Sequence, residues 1–125
     1  MGIIDNLLGH AGEASTDKVQ AELAPMLAGN ERIERAFAFV RDLIVFTDRR
    51  LIFVNKQGVT AKKTEYRSIP YRSIVMYSIE TAGHFDLECD FKLWLSGQEQ
   101  PLSTKLGRGE GAQALVALLA EHAPR

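Results

Sequence analysis

The stretch that decides the fold class is Phe85-Asp86-Leu87-Glu88-Cys89-Asp90-Phe91-Lys92-Leu93-Trp94-Leu95. Phe85, Leu87, Cys89, Phe91, Leu93 and Leu95 alternate with Asp86, Glu88, Asp90 and Lys92. A period of two sends the first set to a core face and the second to water, so the stretch reads as a half-buried strand. Cys89 lies on the core face, as a small buried hydrophobe rather than a nucleophile. Trp94 is out of phase with the apolar set. It faces outward toward a subunit contact or peptide groove, or packs beneath an N-terminal helix.

The same reading extends in both directions. Upstream, Arg32 to Val40, Leu43 to Thr47 and Arg50 to Asn55 are rich in β-branched and aromatic residues. Arg41-Asp42 and Asp48-Arg49 separate them tightly enough for hairpins. Gln57-Gly58 marks a turn. Thr64 to Pro70 and Ile74 to Thr81 read as two further strands, parted by Tyr71-Arg72-Ser73, and Ala82-Gly83-His84 turns the chain again. Downstream, Ser96-Gly97 is a turn and Pro101 to Leu106 a last strand. Gly107 to Gly111 is a flexible connection. Ala112, Leu115, Val116 and Leu119 then line one face of a C-terminal helix.

Before the strands, Gly9 to Thr16 reads as a loop. Asp17 with Gln20 resembles a capping box, and Val19, Leu23, Met26 and Leu27 share a helical face. Pro25 kinks that helix or divides it into two short ones. The division drawn is a helical extension over residues 1–30 and a β-rich domain over 31–125. The fold class is mainly β: about seven antiparallel strands curl into a sandwich or open barrel, with one terminal helix plugging an end. Strands and helices do not alternate as βαβ units, which argues against a parallel sheet.

Composition narrows the function classes. The chain has 125 residues, 46% hydrophobic and 25% charged, with a formal net charge of -1. That suits one globular core and argues against a globally basic nucleic-acid binder. The single cysteine rules out an intrachain disulfide and a Cys-rich zinc cluster. No apolar run approaches the ~18 residues of a transmembrane helix. Gly2 to Leu8 lacks the basic flank of a signal peptide, and Asn6 stands where a myristoylation signal has Ser or Thr. The expected compartment is the cytoplasm.

Residues 31–122 resemble the bacterial pleckstrin-homology-like (PH-like) domains, a small family formerly classed as a domain of unknown function. The likeness rests on Arg41 to Val54 (RDLIVFTDRRLIFV), Lys56-Gln57-Gly58, Ser68 to Ile74 (SIPYRSI) and Glu80 to Leu87 (ETAGHFDL); Gln20 to Leu27 (QAELAPML) also fits. The resemblance implies two orthogonal antiparallel sheets with a C-terminal capping helix. It implies homo-oligomeric assembly, with a ring as one form, and neither an enzyme activity nor a known ligand. Many eukaryotic PH domains cradle phosphoinositides with a basic loop between their first two strands. Arg41-Asp42, one charge of each sign, is too short and too neutral for that.

Motifs for chemistry are weak. Gly107 to Ala112 fits the dinucleotide pattern G-x-G-x-x-A, but too little chain follows for a second parallel strand, so a linker into the last helix is the simpler reading. His10, His84 and His122 lack metal-ligand spacing. The expectation is no enzyme, no cofactor and no metal.

Charge is more informative. Between Asp48 and Arg72, the cations Arg49, Arg50, Lys56, Lys62, Lys63, Arg67 and Arg72 exceed Asp48 and Glu65 by +5. Between Ser73 and Gln100, the acids Glu80, Asp86, Glu88, Asp90 and Glu99 exceed Lys92 by -4. Unlike segments allow head-to-tail association of copies, the contact type that closes into rings; the bland alternative is solvated faces whose charges mix in space. Ile3, Ile4, Leu7 and Leu8 form an apolar helical stripe that docks on its own domain, a sister subunit, another protein or a membrane. With Trp94 they are the candidate contact surface. The basic cluster is the candidate surface for anionic lipid, at about 1 kcal/mol per cation near the membrane. Nucleic acid is not expected, because Phe37, Phe39, Phe46, Phe53 and Phe91 sit in apolar runs and leave no stacking platform.

Overall fold

The computed structural model describes residues 12–39, 42–57, 63–81, 88–107 and 112–123. Five strands form one antiparallel sheet in sequential order: β1 (Gly12–Ala14), β2 (Ile33–Ala38), β3 (Asp42–Thr47), β4 (Arg50–Gln57) and β5 (Lys63–Pro70). A second antiparallel sheet holds β6 (Ile74–Thr81), β7 (Glu88–Leu95) and β8 (Leu102–Gly107). Helix α1 (Thr16–Leu23), continued by a 3-10 turn over Ala24–Met26, precedes β2, and α2 (Ala112–His122) follows β8. The seven strands expected from the sequence are all present.

Burial explains why these strands pair as they do. Every residue of β3 is buried, and neighbouring side chains point to opposite faces of a strand. Ile44 and Phe46 face the interior between the sheets, with Phe37, Phe39, Leu51, Phe53, Ile69, Phe91 and Leu93. Leu43 and Val45 face the other way. They join Ala36, Ala38, Ile52, Val54 and the α1 residues Val19 and Leu23 in a second cluster. The first sheet therefore carries a core on each face. Ala36 and Ala38 are small, so α1 can lie close over β2. The boundary drawn at residue 30 follows the change from helical to strand period; in the fold, Val19 and Leu23 of α1 pack in one cluster with the first sheet.

Two details differ from expectation. The first is β1: Gly12–Ala14 pairs with Ala38, Phe37 and Ala36, where the sequence reads as loop. The second is the cap of α1. The Ser15 hydroxyl accepts from the Lys18 N–H at 3.5 Å, so the helix starts before Asp17. Asp17 then sits in the first turn, where the helix dipole favours a negative charge. Gln20 is thereby released from a capping box. Its Oε1 accepts from the Ile33 N–H at 3.0 Å and ties α1 to β2. Pro25 behaves as expected, ending α1 and starting the 3-10 turn.

Helix α2 closes one end of the barrel. Leu115, Leu118 and Leu119 enter the central core, while Val116 is only half-buried. Its last turn is pinned by aromatic contact: the His122 ring stacks on Tyr71 at 4.4 Å between centroids and 10° between planes. His122 Nε2 donates to Glu34 Oε1 at 2.7 Å. Tyr71 in turn donates its hydroxyl to the Thr47 carbonyl at 2.6 Å. Burial pushes the Tyr71 phenol well above its ordinary range. The chain His122–Tyr71–Thr47 joins α2, the β5–β6 connection and β3. Replacing His122 by Ala should lower unfolding free energy by about 1 kcal/mol, the scale of one aromatic pair. Urea denaturation followed by circular dichroism measures it; an unchanged midpoint would show that α2 holds without its terminal stack.

Candidate functional site

Among the described residues, the space between the sheets is filled by apolar side chains. The gap bordered by Ile44, Leu51, Phe53, Phe91, Leu93 and Leu102 is too small for a water molecule. Among the described residues, the buried polar side chains of Glu31, Asp42, Thr47 and Thr104 are hydrogen-bonded. The Asp42 carboxylate accepts from Asn55 Nδ2 and from Thr104 Oγ1, linking β3, β4 and β8. Among the described residues, no group of three His, Cys, Asp or Glu side chains could hold a metal ion. Cys89 is buried, as its phase on β7 requires.

The strongest electrostatic feature is a structural ion pair. Glu31 has a side chain 1% exposed, and its carboxylate receives Arg50 Nε at 2.8 Å and Nη2 at 2.9 Å. Thr47 Oγ1 donates to it at 2.7 Å and the Ala28 N–H at 3.0 Å. Arg50 also donates to Ser68 Oγ at 2.7 Å and to the Met26 carbonyl at 2.8 Å. The Arg50 hydrogen bonds hold the Glu31 carboxyl down at about 2, and Glu31 raises Arg50 in return. This pair fastens the 3-10 turn to the ends of β3, β4 and β5. Sequence reasoning missed it because its partners are 19 residues apart and each alone looks like a surface charge.

That pair redistributes the expected basic patch. Arg50 is withdrawn from the surface by Glu31. Arg67 Nη2 lies 3.1 Å from Glu65 Oε2 on β5. Arg49, Lys63 and Arg72 are exposed. Arg49 and Arg72 lie toward the Pro70 end of β5, since Arg50 pairs with Pro70, whereas Lys63 lies at the other end, opposite Gln57. The described cations among these seven therefore do not gather on one face. Lys56 is on β4, and its side chain is outside the described residues, as are Lys62, Ile3, Ile4, Leu7, Leu8, His10, His84, Asp86 and residues 108–111 of the glycine motif.

The second sheet presents a different surface. Register slips between Ile74 and Met76, leaving Val75 as an extra residue in the strand. A bulge of this kind brings two successive side chains to one side. Val75 is 63% and Met76 51% exposed. Met76 pairs with Trp94, which is half-buried. Trp94 thus faces outward as its phase predicts, and α1 lies on the other sheet rather than over it. Farther along this outer face the character turns polar. Glu80 pairs with Asp90, and Lys105 Nζ approaches Asp90 Oδ1 at 3.8 Å, a basic neighbour for that one carboxylate.

The β-rich barrel with a terminal helix at one end has known relatives. Residues 2–123 match the profile of the bacterial PH domain. The chain belongs to that family. It is 59% identical over 105 residues to YjqA of Bacillus subtilis, covering 84% of each chain. It is 30% identical over 108 residues to YozO of the same organism, covering 86% of this chain and 90% of YozO. Among solved structures, a DUF1696 family protein with a pleckstrin-homology domain from Shewanella loihica superposes with a TM-score of 0.80 at 40% identity. That match covers 93% of this chain and 99% of the other. A pleckstrin homology domain from Shewanella amazonensis gives 0.80 at 48% identity, over 87% and 98%. This bacterial PH domain thus has the expected fold class. Among its described residues, no helix is long and apolar enough to cross a membrane.

The Glu31 carboxyl makes stability depend on acid. Its folded value near 2 lies below the ordinary 4.5. A depressed acid stabilises the fold fully above the unfolded value and loses that contribution as pH falls through the folded one. The expected loss between neutral pH and pH 2 is about 3 kcal/mol. Glu31→Gln should be less stable than the parent at pH 7 and should lose less on acidification. Urea midpoints at pH 7, 4 and 3 test this; parallel pH profiles for the two proteins would contradict it.

Proposed function

We propose that this bacterial PH domain is a non-catalytic interaction module that self-assembles into a homo-oligomer and serves as a scaffold or adaptor. The observation that carries the reading is the outer face of the second sheet. Val75 and Met76 are aliphatic, exposed and adjacent to Trp94, on a strand at the edge of its sheet. Apolar side chains grouped this way on a surface are used for contacts between proteins. The filled interior supports a function exercised outside. The basic 49–72 and acidic 73–100 segments, counted along the sequence, favour a head-to-tail contact, with Lys92 and Lys105 offsetting part of the acidic charge on the second sheet. A heterologous contact closes into a ring when its rotation permits.

Anionic lipid is the alternative partner, through the basic 49–72 segment. It draws less support, since Arg50 and Arg67 are engaged by carboxylates and the exposed cations lie toward both ends of β5. Two or three separate cations contribute only about 2–3 kcal/mol at a membrane.

Light scattering on the full chain across salt concentrations tests self-assembly. The expected result is a mass several times the protomer's 13.9 kDa. Met76→Asp and Val75→Asp should each lower that mass, with stability changed by no more than about 0.5 kcal/mol because both side chains are exposed. A monomer under every condition would overturn the proposal.

A further inference from the structure

A strand at the end of a sheet turns every second N–H and C=O outward, where another strand can pair with them. The first sheet ends on β5, and among the described residues no strand pairs with its outer edge. The edges differ in how open they are. β1 has three residues. β6 carries the bulge at Val75, which interrupts pairing along its edge. β8 has six residues and β5 eight, and β5 keeps unbroken register with β4 from Lys63 to Pro70. Lys63 and Pro70, residue types that discourage edge pairing, stand only at its two ends. The stretch from Thr64 to Ile69 has no such break.

The side chains of that stretch select the partner. Tyr66 pairs with Val54, which belongs to the cluster under α1, so Tyr66 lies on the outer face of the sheet; it is 39% exposed. Glu65 and Arg67 point to the opposite face and remain partly exposed, with Arg67 opposite Phe53. A foreign strand laid on this edge meets a carboxylate and a guanidinium two residues apart. It loses stability unless it brings the matching charges in the matching order. The same strand, turned about a two-fold axis through Tyr66, meets that condition. Antiparallel pairing about Tyr66 sets Glu65 opposite the partner's Arg67 and Arg67 opposite the partner's Glu65. Thr64 falls opposite the partner's Ser68, a hydroxyl pair that can hydrogen-bond across the strands.

We infer that β5 of one copy pairs antiparallel with β5 of a second copy about a two-fold axis at Tyr66, held by crossed Glu65–Arg67 pairs. The inference rests on the self-assembly reading and names a contact separate from the Val75–Met76 face. A two-fold contact closes on a pair of copies, so it adds to a head-to-tail contact made elsewhere on the molecule.

The test uses the full chain, with solution mass measured against concentration. Glu65→Arg and Arg67→Glu each set like charges opposite one another at both crossed positions. Each should move the association midpoint to higher concentration by about tenfold. The double variant Glu65→Arg/Arg67→Glu restores the pairing and should associate as the parent does. An equimolar mixture of the two single variants should associate too, because each supplies the charges that the other lacks. Both side chains are partly exposed, so circular dichroism should show a native fold in every variant. Tyr66→Cys reads the register. The axis brings the two thiols to a spacing that a disulfide spans, so mild oxidation should give a covalent dimer, whereas Thr64→Cys should give none. Cys89 is buried and stays out of that reaction. Unchanged mass in both single variants, with lowered mass in Met76→Asp, would overturn the edge contact and leave self-assembly standing. Loss in the single variants without recovery in the double variant or the mixture would overturn the crossed pairing. A parent chain monomeric at every concentration would remove both proposals.

Discussion

The burial of β3 on both faces is the constraint on which the structure depends. A strand with Leu43 and Val45 on one side and Ile44 and Phe46 on the other cannot leave either side in water. One side is met by the second sheet and α2, the other by α1. Each fully buried aliphatic or aromatic side chain contributes roughly 1.5–3 kcal/mol, so neither cover is dispensable. The described barrel interior is filled as a consequence.

The polar residues near β3 are organised around the same constraint. Asp42 and Thr47 stand at its two ends and both are buried. A buried polar group without a partner costs about 1–3 kcal/mol. Asp42 meets this through Asn55 and Thr104, which also draws β8 against the first sheet. Thr47 donates to Glu31 and accepts the N–H groups of Arg49 and Arg50, so it shapes the β3–β4 turn and supports the ion pair at once. The same Arg50 that would have been a surface cation becomes the fastening of the 3-10 turn.

Most of the strand plan was legible because its signals are local. The alternation through Cys89, Phe91 and Leu93 and the apolar run of β3 need only neighbouring residues to be read. What escaped depends on distant partners or on weak local preference. Gly12–Ala14 is made of residues with little strand propensity and pairs only because β2 has a free edge beside it. Ser15 and Asp17 are both good caps, and Gln20's bond to Ile33 favours the earlier one. The ion pair joins residues on different elements, so counting cations along Asp48 to Arg72 overstated how many reach solvent. The outward turn of Trp94 was readable from phase. The bulge that sets Val75 and Met76 beside it was not, since its register slip is defined only against β7.

The described outer surface of this bacterial PH domain carries several features. These are an apolar patch beside Trp94, the outer edge of β5 and cations set toward both ends of that strand. The central claim, that both faces of β3 belong to one cooperative core, is tested most directly by native-state hydrogen exchange. Amides of Ile44 and Val45, whose side chains point to opposite faces, should exchange only through global unfolding and at equal free energy. Exchange of β3 amides through a lower-energy opening shared with α1 would contradict it, because the helix would then be an appendage rather than half of the core.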